Sequence, residues 1–92
     1  MNKMVKTDAL SDTMWMLMAR YKGRPMIPAS EVCDDFFQPL TYPKFLDKVN
    51  HGVISLPLVR MEESQRTPRY VSLQDLSLFL DARRELALVE QI

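Results

Sequence analysis

The sequence predicts a single, mainly α-helical domain carrying a small β-hairpin, and three observations predict it. Apolar residues recur at three- and four-residue spacing in four separate stretches, the period of a helix with one buried face. One stretch, residues 53–73, breaks that period and is rich in aliphatic and β-branched residues around a polar centre. The chain has 92 residues, 47% of them apolar, which is the length and composition of one small domain with its own core.

The elements follow in order. In "TDALSDTMWMLMARYKG", Leu10, Met14, Leu17, Met18 and Tyr21 make one helical stripe. Thr7 or Asp8 can cap its start, Gly23 with Pro25 ends it, and residues 1–7 are expected to be a flexible lead. Trp15 and Met16 fall off the stripe. Either a second element of the chain buries them or they meet another molecule. They are candidate oligomer contacts, together with Leu88 in the apolar stretch Leu86, Leu88, Val89. The next stretch, "MIPASEVCDDFF", predicts a helix of two turns entered at Pro28. Val32, Cys33, Phe36 and Phe37 form its buried side, and Asp34 and Asp35 its solvated face.

In "LTYPKFLDKVNHGVISLPLVR", Tyr42, Phe45, Leu46 and Val49 form one apolar face, with Pro43, Lys44, Asp47 and Lys48 opposite. Proline is tolerated in a first turn, where its missing N–H would be unpaired in any case. Pro43 therefore marks the start of this helix. Thr41 is the cap by chemistry, while proline disfavours helical geometry at Tyr42, so the start is open by one residue. Gly52 supplies the left-handed turn that ends the helix. Strands are expected near 56–61 and 69–72, joined by the polar loop 62–68. The final stretch, "SLQDLSLFLDARRELALVEQI", opens with Ser72 and Asp75 in a capping-box-like pair. Leu73, Leu76, Phe79, Leu80 and Leu86 are its predicted buried stripe.

Composition excludes several functions. Cys33 is the one cysteine and His51 the one histidine, so no internal disulfide or zinc site can form, and Cys33 reads as a small buried thiol. No nucleophile has a base at a recommending spacing, and neither a metal cluster nor a phosphate-binding glycine loop is present, so neither an enzyme nor a cofactor is expected. The apolar run "MWMLMA" falls far short of the ~20 residues of a membrane span. No secretory signal is visible, so a cytoplasmic protein without a membrane partner is expected. Net charge is zero but segregated: +3 over residues 1–29, −3 over 30–41, +2 over 42–69 and −2 over 70–92. Neutrality overall leaves room for one positive face.

Helix, short helix, turn, short helix, hairpin, helix is the order of a winged helix-turn-helix with an additional N-terminal helix and a C-terminal helix. In that geometry the second short helix enters the major groove by its N-terminal end. Thr41, Tyr42, Lys44 and Lys48 would meet bases and phosphates. Arg60 would extend the surface along the first strand, and Gln65, Arg66 and Arg69 would bring the hairpin to the backbone or minor groove. A module this small reads few base pairs, so useful affinity for double-stranded DNA calls for self-association on adjacent half-sites.

Glu31-Val32-Cys33, Gly52, Leu56-Pro57, Arg60 and Asp75-Leu76 resemble the pattern of excisionase and MerR-type winged helices. Four residues separate Gly52 from Pro57, where that pattern often has one or two. More specifically, "MWMLMARYKGRPMIPASEVCDDFF" followed by "LTYPKFLDKVNHGVISLPLVRMEESQ" resembles the pyocin activator protein (PrtN) family, over about residues 14–84. The resemblance implies a small bacterial DNA-binding regulator of phage-like gene clusters, with the groove-facing role on Tyr42, Lys44, Lys48 and the wing arginines. The scaffold admits an activator working with RNA polymerase, or an excisionase (a recombination directionality factor) working beside an integrase. The methionine-rich first helix and the neutral charge also admit a winged helix that binds protein.

Overall fold

A computed structural model of the chain describes residues 11–90. It contains four helices and a small antiparallel sheet: α1 (Asp12–Arg20), β1 (Met26–Pro28), α2 (Ala29–Phe36), α3 (Tyr42–Asn50), β2 (Val59–Arg60), β3 (Arg69–Ser72) and α4 (Leu73–Glu90). The architecture is mainly helical and winged-helix-like. The predicted lead at 1–7, the caps Thr7 and Asp8, and Leu10 lie outside the described residues. The described helix α1 is capped by Ser11, whose side chain accepts from the Met14 amide at 3.0 Å.

Capping chemistry fixes the other helix ends. Thr41 is the N-cap of α3, its Oγ1 accepting from the Lys44 amide at 3.4 Å, and Pro43 lies in the first turn. The α3 C-terminus closes through Gly52 at φ 75°, with the Val53 amide donating to Lys48 O at 2.9 Å. That is the six-to-one closure that a left-handed residue permits. The same closure ends α1, where the left-handed position is held by Lys22 at φ 57° and the Gly23 amide reaches Met18 O at 2.8 Å. Ser72 caps α4 as predicted, its Oγ accepting from the Asp75 amide at 3.4 Å.

The sheet departs from the expected two-stranded hairpin. Three strands lie in the order β1-β3-β2. The extra strand, β1, pairs Ile27 with Val71, and both are fully buried. Three residues are too few to show a period, and here they form a strand because β3 offers a free edge. The first wing strand is shorter than expected, Val59–Arg60 in place of 56–61. Leu56 leaves the strand direction to fill the core, so residues 53–58 form an irregular link.

The core gathers Leu17, Tyr21, Ile27, Val32, Cys33, Phe45, Leu56, Val71, Leu73 and Leu76. Phe37 packs its ring against Phe45 at 4.8 Å and Phe79 at 5.7 Å between centroids. Phe37 thus packs on the buried side as predicted, whereas Phe36, also expected there, is left at the surface. Leu86 was also expected in the buried stripe and is 47% exposed, because α4 runs past the body of the domain and residues 82–90 are all exposed. Cys33 is buried as predicted, with burial, reinforced by Asp34, raising its thiol pKa.

α1 is tied to α2 by Tyr21, which is 2% exposed. Its hydroxyl donates to Asp35 Oδ2 at 2.5 Å, and Arg20 meets the other carboxylate oxygen at 3.0 Å. Burial, helped by the hydrogen bond to Asp35, pushes the Tyr21 phenol up to about 12. The hydrogen bond from Tyr21, together with Arg20, holds the Asp35 carboxyl below its ordinary value.

The signs of these shifts predict two limbs of pH dependence. The raised phenol contributes stability that is complete below the ordinary 10.0 and is lost as pH rises through about 12. The depressed carboxyl contributes stability present above the ordinary carboxylate range, lost as pH falls through its lower folded value. Tyr21→Phe is expected to cost about 2 kcal/mol at neutral pH, to lose the alkaline limb and to weaken the acid one. Urea unfolding across pH measures all three. Cys33→Ala is expected to cost about 1 kcal/mol by the same measurement.

Candidate nucleic-acid interface

The end of α3 and the wing β2–β3 lie on either side of a cleft. Val49 and Asn50 at the end of α3 line one wall, and Arg60, Gln65 and Arg69 of the wing line the other. The cleft has a volume of about 520 Å³ and a mainly polar lining. Strand register explains how two arginines come to share it. In the β2–β3 pair, Arg60 stands directly opposite Arg69, so both side chains leave the same face of the sheet. Like charges facing each other across an antiparallel pair destabilise it. An anion between them would turn that repulsion into a shared contact.

Arg66 is at the tip of the wing. Ser64 Oγ accepts from the Arg66 amide at 3.1 Å, and the Thr67 amide reaches Ser64 O at 3.2 Å, a tight turn that carries Arg66 outward. Lys44 is exposed on the first turn of α3. Thr41 uses its oxygen as an acceptor in the cap, which leaves its hydroxyl hydrogen free to donate. Tyr42 is half-buried, its ring stacked on Phe45 at 6.3 Å between centroids. Burial raises its phenol pKa, while the charge of Arg69 pulls the other way.

The predicted residues therefore do not form one uniform surface. Arg60, Gln65 and Arg69 are brought together in the cleft, and Tyr42 does not line it. Lys48 lies elsewhere, on the rim of a groove between α3 and α4. Asn50 was missed by sequence reasoning and lines the cleft. Its signal was a polar residue in the last turn before the His51-Gly52 stop. Trp15, Met16 and Leu88, the predicted oligomer contacts, are all exposed.

Ion pairs hold some cations and leave others, and Lys22 and Arg83, away from α3 and the wing, are also unpaired among the described residues. Arg20 is paired with Asp35, and Arg24 with Glu31 at 2.7 Å, and both guanidinium groups lie over the Tyr21 ring. Lys44, Lys48, Arg60, Arg66 and Arg69 form no ion pair among the described residues, and Asp47 engages His51 at 3.4 Å. Among the described residues no group of three or more His, Cys, Asp or Glu could hold a metal ion. No described helix is long and apolar enough to cross a membrane.

Arg60→Thr is expected to raise the stability of the free protein by a few tenths of a kcal/mol, because it removes the cross-strand repulsion. The gain should shrink as salt screens the pair. Thermal unfolding at low and high salt measures it, and a stability loss at low salt would show that the arginines do not repel.

No curated protein and no solved structure matches the chain at a significant level. A family model, that of pyocin activator protein PrtN, matches residues 13–87, which include every helix core, the whole sheet and the cleft. The chain belongs to the pyocin activator protein PrtN family, a family of regulatory proteins rather than enzymes.

Proposed function

We propose that the protein is a sequence-specific DNA-binding transcriptional regulator, an activator of a phage-like or mobile-element gene cluster. The observation that carries this reading is the division of the cations. Those that hold α1 to α2 are paired with carboxylates. Those on α3 and the wing have no protein partner among the described residues. Two of the latter face each other across a strand pair at a cost in stability. Phosphate oxygens supply the missing partner class.

In this reading, α3 enters the major groove by its N-terminal turn, presenting Thr41, Lys44 and the edge of Tyr42. Arg60 and Arg69 hold a backbone phosphate in the cleft, with Gln65 and Asn50 beside it, and Arg66 at the wing tip reaches the next phosphates or the minor groove. Lys48 contributes charge from the flank of α3. The buried half of Tyr42 keeps the recognition helix fixed against the core, so the groove-facing turn is presented with little ordering cost. A second reading, a winged helix that binds protein through α1, is favoured by the exposure of Trp15 and Met16 and is compatible with the first.

The test is a salt titration of binding to specific and random duplexes. Arg66→Ala is expected to weaken both about equally and to flatten the dependence of log K on log salt by about one unit. Lys44→Ala is expected to cost about 1–3 kcal/mol on specific DNA and to relax specificity at one position. Parent-like binding by both variants would remove α3 and the wing as the DNA surface.

A further inference from the structure

The two long sides of α4 are used differently. One side takes α1, with Thr13 Oγ1 donating to Asp81 Oδ1 at 2.5 Å near the start of α1. On the opposite side, Leu78, Phe79 and Leu86 face Val53 and its neighbours across an open groove of about 670 Å³. Phe79 is half-buried against Phe37, but Leu78 is 60% and Leu86 47% exposed, so most of this side of α4 has no cover within the described chain.

A second uncovered apolar feature lies on α1. Trp15 is 58% and Met16 64% exposed. At 3.6 residues per turn they share the outward face with Asp12, one turn earlier. That face and the groove are separated by the body of α4, so Trp15 and Met16 cannot fill the groove of their own chain.

We propose that Trp15 and Met16 of one copy insert into the α4 groove of a second copy. Charge complementarity selects this occupant. Asp12 beside the protruding pair has no ion partner among the described residues. The groove carries Lys48 and Arg83, likewise unpaired among the described residues, against the single carboxylate of Asp75, so its balance is positive where the inserting face is negative. An aromatic anchor in an apolar groove with a charged rim is the usual anatomy of a contact that carries binding energy. The two surfaces differ, so the contact is head-to-tail and each added copy presents a fresh groove. It is a contact between proteins, and Lys48 on the groove rim is the one residue it shares with the proposed DNA surface.

Sedimentation velocity on the full chain without DNA tests it, with Trp15→Glu and Leu86→Glu as variants. Both side chains are exposed, and circular dichroism confirms that each variant folds. A variant that does not fold is replaced by Met16→Glu or Leu78→Glu, which remove the same two surfaces. The parent is expected to grow in mass with concentration, without a plateau at dimer, and each variant alone is expected to lose that growth. Because each variant keeps the surface that the other lacks, an equimolar mixture is expected to form a one-to-one complex that stops at two chains. A parent that stays monomeric, variants that associate like the parent, or a mixture that stays monomeric would overturn the proposal. So would a closed dimer abolished by Leu86→Glu and untouched by Trp15→Glu, which would assign the groove to a symmetric α4 contact.

Discussion

The four residues of β3 are the constraint on which the arrangement depends. Both edges of the strand are taken, by β1 on one side and β2 on the other. β1 runs without a break into α2, and β3 runs without a break into α4. Pairing Ile27 with Val71 therefore sets the entry of the helix-turn-helix and the exit of the wing in one register. The Leu73 amide extends the same ladder by donating to Pro25 O at 2.8 Å. A slip of β3 by one residue would exchange buried Val71 for a half-buried neighbour and would separate Arg60 from Arg69. Core and cleft are thus specified on the two edges of one strand.

A chain of zero net charge presents a cationic cleft by spending its carboxylates elsewhere. Asp35 and Glu31 are committed to Arg20 and Arg24 around the Tyr21 ring, on the side that joins α1 to α2. Asp47 is turned to His51 at the end of α3. Each of these three acids has a local structural partner, and Arg60, Arg66 and Arg69 form no ion pair among the described residues, although Glu62 and Glu63 stand in the same wing. Counting charges over the whole chain hides this, whereas charges counted by segment reveal it.

Helix positions were legible because their signals are local and redundant. Thr41, Pro43 and Gly52 mark α3 by cap, first turn and left-handed stop, and each stands where its chemistry places it. Ser72 does the same for α4. The sheet was less legible, because β1 exists only through its partner and β2 is too short for alternation to show. Phe36 and Leu86 failed as buried residues for a related reason: helical period identifies a face but not how far along the helix the core extends. For the candidate interface, composition pointed to the wing arginines, but the cross-strand facing of Arg60 and Arg69 is a matter of register, which no period in residues 53–73 encodes. The separation of Lys48 from the cleft depends on which flank of α3 the fold turns toward the wing and which toward the open groove beside α4, a long-range outcome.

The brevity of β2 has a dynamic consequence. The wing strand pairs with β3 through two residues only, and the loop that follows it, residues 61–68, is almost entirely exposed. Few backbone hydrogen bonds and little apolar burial hold this segment, so it opens at a lower free energy than the β1–β3 ladder beneath it. The protein is therefore built from two regions of different cooperativity: a rigid body that fixes α3, and a wing that exchanges its amide hydrogens through local opening while the core stays closed. An anion seated between Arg60 and Arg69 would join the two into one cooperative unit, so that occupancy of the cleft would be recorded as slowed exchange along the wing.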